Sequence, residues 1–144
     1  MAHGSMETLY RQVIMDHYKN PRNKGLVDHS GYQQFHIKNP TCGDDITIQV
    51  HVEDGTLKDI RHEGTGCSIC CASASVMTTE LKNDSLEVAK DKIELYFEMI
   101  KGHTVEPSEL LGDAVVFEGV SKYPQRFKCA TVAWQALKEV ISNG

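Results

Sequence analysis

Ile46-Thr47-Ile48-Gln49-Val50-His51-Val52-Glu53-Asp54-Gly55 is the stretch on which the fold turns. Apolar Ile46, Ile48, Val50 and Val52 alternate with polar Thr47, Gln49, His51 and Glu53. A period of two sends one set of side chains to a buried face and the other toward water, the pattern of a half-buried strand. Asp54-Gly55 supplies the residue types that a tight hairpin turn demands. Residues 57–63 are therefore read as the returning antiparallel strand, and residues 32–38 as a third strand.

Around this sheet the period changes. Leu9, Tyr10, Val13, Ile14, His17 and Tyr18 form one helical stripe over residues 7–19, stopped by Asn20-Pro21. After Gly64-Thr65-Gly66, Ser68 is the expected cap of a helix over residues 69–82. Asp84 with Glu87 resembles a capping box for a helix through Leu86, Ala89, Ile93, Tyr96, Phe97 and Ile100, closed by Gly102. Ala130, Ala133, Trp134, Leu137, Val140 and Ile141 give a last amphipathic helix. Between these two helices, residues 103–125 show weak periodicity, broken by Pro107, Gly112, Gly119 and Pro124, with four acids and no base from Glu106 to Glu118. They are expected to form a surface excursion with one helical turn near Leu110. The order of helix, antiparallel strands and helices gives an α+β class: a small three-stranded antiparallel sheet with helices packed on one face.

The chain has 144 residues, enough for one domain with a core of its own. Met1-Ala2-His3-Gly4-Ser5 reads as a cloning remnant, leaving residues 6–144 as a single domain. The net charge of -5 argues against a nucleic-acid footprint spread over the whole surface. No run approaches the roughly eighteen apolar residues of a membrane span, and the N-terminus has no signal-like apolar stretch, so the reading is cytoplasmic.

Five cysteines, an odd number with irregular spacing, argue against a disulfide framework and for metal binding or chemistry. Cys42 lies just before the alternating strand, Cys67 after two glycines at a helix start, and Cys129 at the start of the last helix. A helix N-terminus offers free N–H groups and partial positive charge, which stabilise a thiolate. Asp44, two residues from Cys42, could complete a tetrahedral site with three thiolates, since zinc accepts carboxylate oxygen as well as sulfur. Spacing alone leaves this open, because Asp44 could equally begin a strand or make an Asx-turn. Cys67-Ser68-Ile69-Cys70 is a Cys-x-x-Cys, but it lacks the parallel strand-helix unit of thioredoxin, so Cys70 and Cys71 are read as small packing residues among Ala72, Ser73 and Ala74. Met77 and Trp134 are read as core, and the histidines as polar or packing residues. The bases Lys122, Arg126 and Lys128, and Arg11, Lys19, Arg22 and Lys24, are solvated by default; an acidic partner is the sharper idea.

Three motifs carry a family resemblance. They are Asn39-Pro40-Thr41-Cys42-Gly43-Asp44; Gly64-Thr65-Gly66-Cys67-Ser68-Ile69 with Ala72-Ser73-Ala74-Ser75; and Lys128-Cys129-Ala130-Thr131-Val132-Ala133-Trp134. Leu9-Tyr10-Arg11 and Asp16-His17-Tyr18-Lys19-Asn20-Pro21-Arg22-Asn23 add to them. Together they resemble the IscU/NifU-N family of iron–sulfur cluster assembly proteins, bacterial members included, over nearly the whole chain. Lys128 stands where IscU scaffolds usually carry His, and the stretch between Cys67 and Cys129 is longer; both features are similar to the zinc-binding SufU branch of Gram-positive bacteria. The resemblance implies a SufE/IscU-like fold and zinc held by Cys42, Asp44, Cys67 and Cys129. It further implies sulfur transfer from a pyridoxal-phosphate cysteine desulfurase of SufS type, with Cys42 as acceptor, and delivery to downstream iron–sulfur scaffold proteins. On that reading the chain is a cosubstrate of the desulfurase rather than a stand-alone enzyme. A scaffold that builds an iron–sulfur cluster is the alternative, and a closed structural zinc module is a third reading.

Overall fold

The computed structural model describes residues 2–39, 43–106 and 108–143. Helix α1 (Ala2–Lys19) leads into three strands, β1 (Tyr32–Asn39), β2 (Asp44–Glu53) and β3 (Thr56–Thr65). Helices α2 (Ser68–Leu81) and α3 (Leu86–Ile100) follow, then a 3-10 segment (Ser108–Lys122), a short 3-10 turn (Pro124–Arg126) and α4 (Phe127–Asn143). The first helix thus begins upstream of residue 7, running without a break through residues 2–5.

The strands form one antiparallel sheet in the order β1-β2-β3. The alternation in β2 does what its period requires: Ile46, Ile48 and Val50 are buried, joined from β3 by Leu57 and Ile60. In register, Ile48 opposes Phe35 of β1 and His62 of β3, and Val50 opposes Ile60. Helix α4 packs on β1 and β2, and α2 on β3, so the helices cover one face as expected. Gly64 lets the end of β3 approach β2. A Cβ there would sit 1.8 Å from the Asp45 carbonyl oxygen, and its φ of +145° already suits glycine.

Two expected caps are corrected. Cys67, not Ser68, caps α2, with its Sγ accepting from the Cys70 N–H. Ser85, not Asp84, caps α3, with its Oγ accepting from the Val88 N–H; Asp84 instead pairs with Lys92 at 2.9 Å. In both cases the residue immediately before the helix has extended φ and ψ, so its side chain is the one that reaches the free amides.

The acidic excursion is also corrected. Residues 108–122 are 3-10 helical, with non-helical backbone at Gly112, and they contribute Leu111, Ala114, Val116, Phe117 and Val120 to the core. Leu111, Ala114, Phe117 and Val120 recur every three residues, the 3-10 repeat rather than the 3.6 of an α-helix. That spacing escapes a search for α-helical stripes. Removing this segment would open the core.

Polar groups tie the helices together beneath the site. Trp134 Nε1–H donates to Ser73 Oγ at 3.0 Å, and both the Ser73 hydroxyl (2.7 Å) and the Tyr96 hydroxyl (2.8 Å) donate to the Ala130 carbonyl. Tyr96 and Trp134 stack with ring centroids 3.8 Å apart. Ala130 follows Cys129 directly, so this network fixes the first turn of α4 against α2 and α3. Met77 and Trp134 are fully buried, as core residues should be.

Two buried histidines hold the segment after α1. His17 Nδ1 lies 2.8 Å from Ser75 Oγ, and that hydroxyl oxygen also accepts from the Arg22 N–H at 2.8 Å. His62 Nε2–H donates to the Arg22 carbonyl at 2.9 Å. Burial holds both imidazoles below the ordinary histidine value of 6.5. Such groups are neutral in the fold and take up protons first in the unfolded chain. Their contribution is intact above that value and is lost as pH falls below it. Thermal unfolding followed from pH about 7.5 to about 5.5 is expected to show a falling midpoint. The dependence should be shallower in the His17→Gln/His62→Gln double variant, whatever its absolute stability. Parallel profiles for the two proteins would show that other groups set the acid limit.

Candidate metal centre

Three elements end at one place. Asp44 opens β2, Cys67 caps α2 and Cys129 lies in the first turn of α4. One ligand atom from each, a carboxylate oxygen and two Sγ atoms, all lie within 4.8 Å of one another. Among the described residues this is the one group of three or more His, Cys, Asp or Glu side chains so placed, and it contains no histidine. Cys42 lies outside the described residues. Asn39 and Gly43, which flank residues 40–42, are joined by a Gly43 N–H to Asn39 carbonyl hydrogen bond of 2.9 Å.

The chemistry of the centre rests on Asp44. Its exposure is 0%. Oδ1 accepts from the Cys67 N–H at 3.4 Å, while Oδ2 is buried with no hydrogen-bond partner among the described residues. A buried carboxylate oxygen without a donor costs several kcal/mol unless a cation answers it. Two sulfur donors within 4.8 Å of a carboxylate oxygen make a set suited to zinc, which takes thiolate and carboxylate together in tetrahedral sites. Gly66 keeps the centre compact: a Cβ there would meet Asp44 Oδ1 at 2.7 Å and Cys70 Sγ at 3.0 Å.

The neighbouring thiols behave differently. Burial pushes the Cys70 thiol up, and the Asp44 carboxylate adds to the effect. Burial likewise raises Cys71, whose thiol sits 3.6 Å from the Gly66 carbonyl oxygen. Both therefore remain protonated at neutral pH, and neither belongs to the three-residue group. Their sequence reading as packing residues fits Cys70, which is wholly buried, and Cys71, which is half-buried.

Asn39 is a residue that the sequence reading missed. It is 8% exposed, its Nδ2 has no hydrogen-bond partner among the described residues, and it opposes Asp44 in the sheet register. Its position directly before Pro40-Thr41-Cys42 was the available signal. With Lys38, Ile37 and Val132 it lines a cleft of about 470 Å³, to which α4 contributes Lys128, beside Cys129. The basic clusters separate. Arg11 and Lys122 meet in a second cleft with Tyr10 and Tyr123, whereas Arg22 pairs with Asp16 at 2.6 Å.

The family model described as the NifU-like N terminal domain matches residues 9–130. The chain belongs to this family. Within it, the chain is an iron–sulfur cluster assembly protein of the SufU/IscU group. It is 44% identical over 140 residues to the zinc-dependent sulfurtransferase SufU of Bacillus subtilis, covering 97% of this chain and 94% of that protein. It is 40% identical over 143 residues to the iron–sulfur cluster assembly scaffold protein IscU of Streptococcus pyogenes, covering 99% and 89%. A crystal structure of a hypothetical protein superposes with a TM-score of 0.88 at 40% identity, covering 94% of this chain and 98% of the other. The SufU/IscU fold seen here is the three-stranded sheet with helices expected from the alternating stretch. Among the described residues, no helix of this family member is long and apolar enough to cross a membrane.

Proposed function

We propose that this chain is a zinc-dependent sulfur acceptor, which takes persulfide sulfur from a cytoplasmic pyridoxal-phosphate cysteine desulfurase and passes it on to iron–sulfur scaffold proteins. The observation that carries the reading is the buried Asp44 carboxylate: one of its oxygens lies within 4.8 Å of Cys67 Sγ and Cys129 Sγ, and its Oδ2 has no hydrogen-bond partner among the described residues. Cys67, Cys129 and Asp44 would hold the ion, with Cys42 as the fourth ligand. Bound zinc would supply a fixed double positive charge that keeps the ligating sulfurs deprotonated and ordered. The name of the Bacillus subtilis relative supports this choice.

The rest of the work falls to the chain itself. Cys42 is the acceptor: its thiolate attacks the outer sulfur of the partner's cysteine persulfide. A new sulfur–sulfur bond forms on Cys42, the old one breaks, and the partner's cysteine leaves as a thiolate. The cleft lined by Lys38, Asn39 and Lys128 opens beside the site and offers positive charge and the Asn39 amide to the arriving segment. In this role the chain is a cosubstrate of the desulfurase.

The second reading, assembly of a cluster on the same residues, draws on the name of the Streptococcus pyogenes relative and on the fitness of thiolates for clusters. The two are separated by desulfurase turnover and reconstitution. Sulfur acceptance predicts that zinc-loaded chain stimulates cysteine turnover and chelator-stripped chain does not. Scaffolding predicts a cluster after anaerobic reconstitution, transferable to an apo-ferredoxin, without stimulation.

A further inference from the structure

One nucleophile near the site has no task in this reading. Cys70 is buried in the first turn of α2, three residues after the cap Cys67. The Cys70 N–H donates to Cys67 Sγ at 3.5 Å, so the Cys67 sulfur is turned over the Cys70 backbone. The space in front of Gly66 is shared: its missing Cβ would meet Cys70 Sγ at 3.0 Å and Asp44 Oδ1 at 2.7 Å. Cys70 therefore lies against the wall of the metal centre. Residues three apart on a helical turn hold their Cβ atoms roughly 5–6 Å apart. A disulfide spans Cα separations of about 4.4–6.8 Å and draws its Cβ atoms closer, a small adjustment at a helix end. A dithiol needs this cap-and-third-residue arrangement, not the parallel sheet of thioredoxin. Cys71 lies elsewhere, with its thiol on the Gly66 carbonyl.

We propose that Cys67 and Cys70 form a reversible intramolecular disulfide when the metal-free chain meets a hydroperoxide, with Cys70 as the resolving thiol. Half-buried Cys67 is the accessible partner and buried Cys70 the protected one. The Cys67 thiolate attacks the peroxide O–O bond; one oxygen stays on sulfur as a sulfenic acid and the other departs as water or alcohol. The Cys70 sulfur then attacks the Cys67 sulfur, hydroxide leaves, and the Cys70 proton goes with it as water. Two thiols lose two electrons and the peroxide gains them. A small thiol reverses the bond by exchange. Without Cys70, the sulfenic acid waits for a second peroxide and passes to sulfinic acid, which thiols do not reverse. The functional consequence rests on the zinc reading: oxidation removes the Cys67 ligand and silences the site until reduction.

The test uses the full chain, stripped by chelator, oxidised with hydrogen peroxide, alkylated, digested and mapped by mass spectrometry. Wild type and Cys71→Ser are expected to yield a Cys67–Cys70 disulfide within one peptide and to recover zinc binding after dithiothreitol. Cys70→Ser is expected to accumulate sulfinic acid at Cys67 and to lose that recovery. Cys70→Ala serves in its place if the serine variant unfolds. Pairing of Cys67 with Cys42, Cys71 or Cys129 in the wild type, or equal sulfinic acid with and without Cys70, overturns the proposal. Metal content of the untreated chain is scored separately, so a failure of the zinc reading leaves the peptide map interpretable.

Discussion

Asp44→Asn is expected to act in opposite directions on the two forms of the chain. In the metal-free form it replaces a buried carboxylate, whose Oδ2 has no donor among the described residues, by a neutral amide. An uncompensated buried charge is among the most expensive features a core can carry. Asparagine keeps an oxygen for the Cys67 N–H and removes the charge. The stripped variant should therefore be more stable than the stripped wild type, by ~1–3 kcal/mol. With zinc the sign reverses, because the variant has lost a charged ligand. Even groups that only orient a ligand cost about 10–100-fold in metal affinity when removed, so loss of Asp44 itself should cost at least ~100-fold. Chelator competition and denaturant unfolding, each with and without zinc, measure both halves. An Asp44 that merely opens β2 or makes a turn predicts equal affinities and no change of sign.

Cys42→Ala carries the second large effect. Cys42 lies in sequence between Asn39, the last residue of β1, and Gly43, just before β2. Its loss is expected to leave the fold intact while abolishing desulfurase stimulation. The other thiols are otherwise placed: Cys67 and Cys129 are committed to the proposed ion, and Cys70 and Cys71 lie outside the three-residue group. Zinc affinity should fall, because one of four proposed ligands is gone. Far-ultraviolet circular dichroism and desulfurase turnover, measured on one preparation, decide it. A folded Cys42→Ala that stimulates like wild type would remove Cys42 from the acceptor role. An unfolded one would favour a closed structural zinc site, in which each ligand contributes to folding.

Much of this architecture was readable from patterns with a clear period. The alternation of Ile46, Ile48 and Val50 predicts the sheet and its buried face, and Trp134 sits on the stripe that α4 buries. The segment around Phe117 was misread because its apolar residues repeat every three positions among acids and helix breakers. Its burial depends on α3 and α2, against which it packs, and no local window contains them. The site divides in the same way. Cys67 and Cys129 stand out as thiols at helix starts. That Asp44 is fully buried and half-unpaired depends on Cys67 and Gly66, which arrive from across the sheet. Caps were displaced by one residue because a thiol at position 67 does the work expected of the hydroxyl beside it.

The central claim is that Asp44, Cys67 and Cys129, joined by Cys42, form a zinc site. X-ray absorption at the zinc edge, with metal analysis of the same purified wild-type chain, tests it most directly. The account predicts one zinc per chain with three sulfurs at about 2.3 Å and one oxygen at about 2.0–2.2 Å. Iron with acid-labile sulfide, or zinc bound by four sulfurs with no carboxylate oxygen, would contradict it.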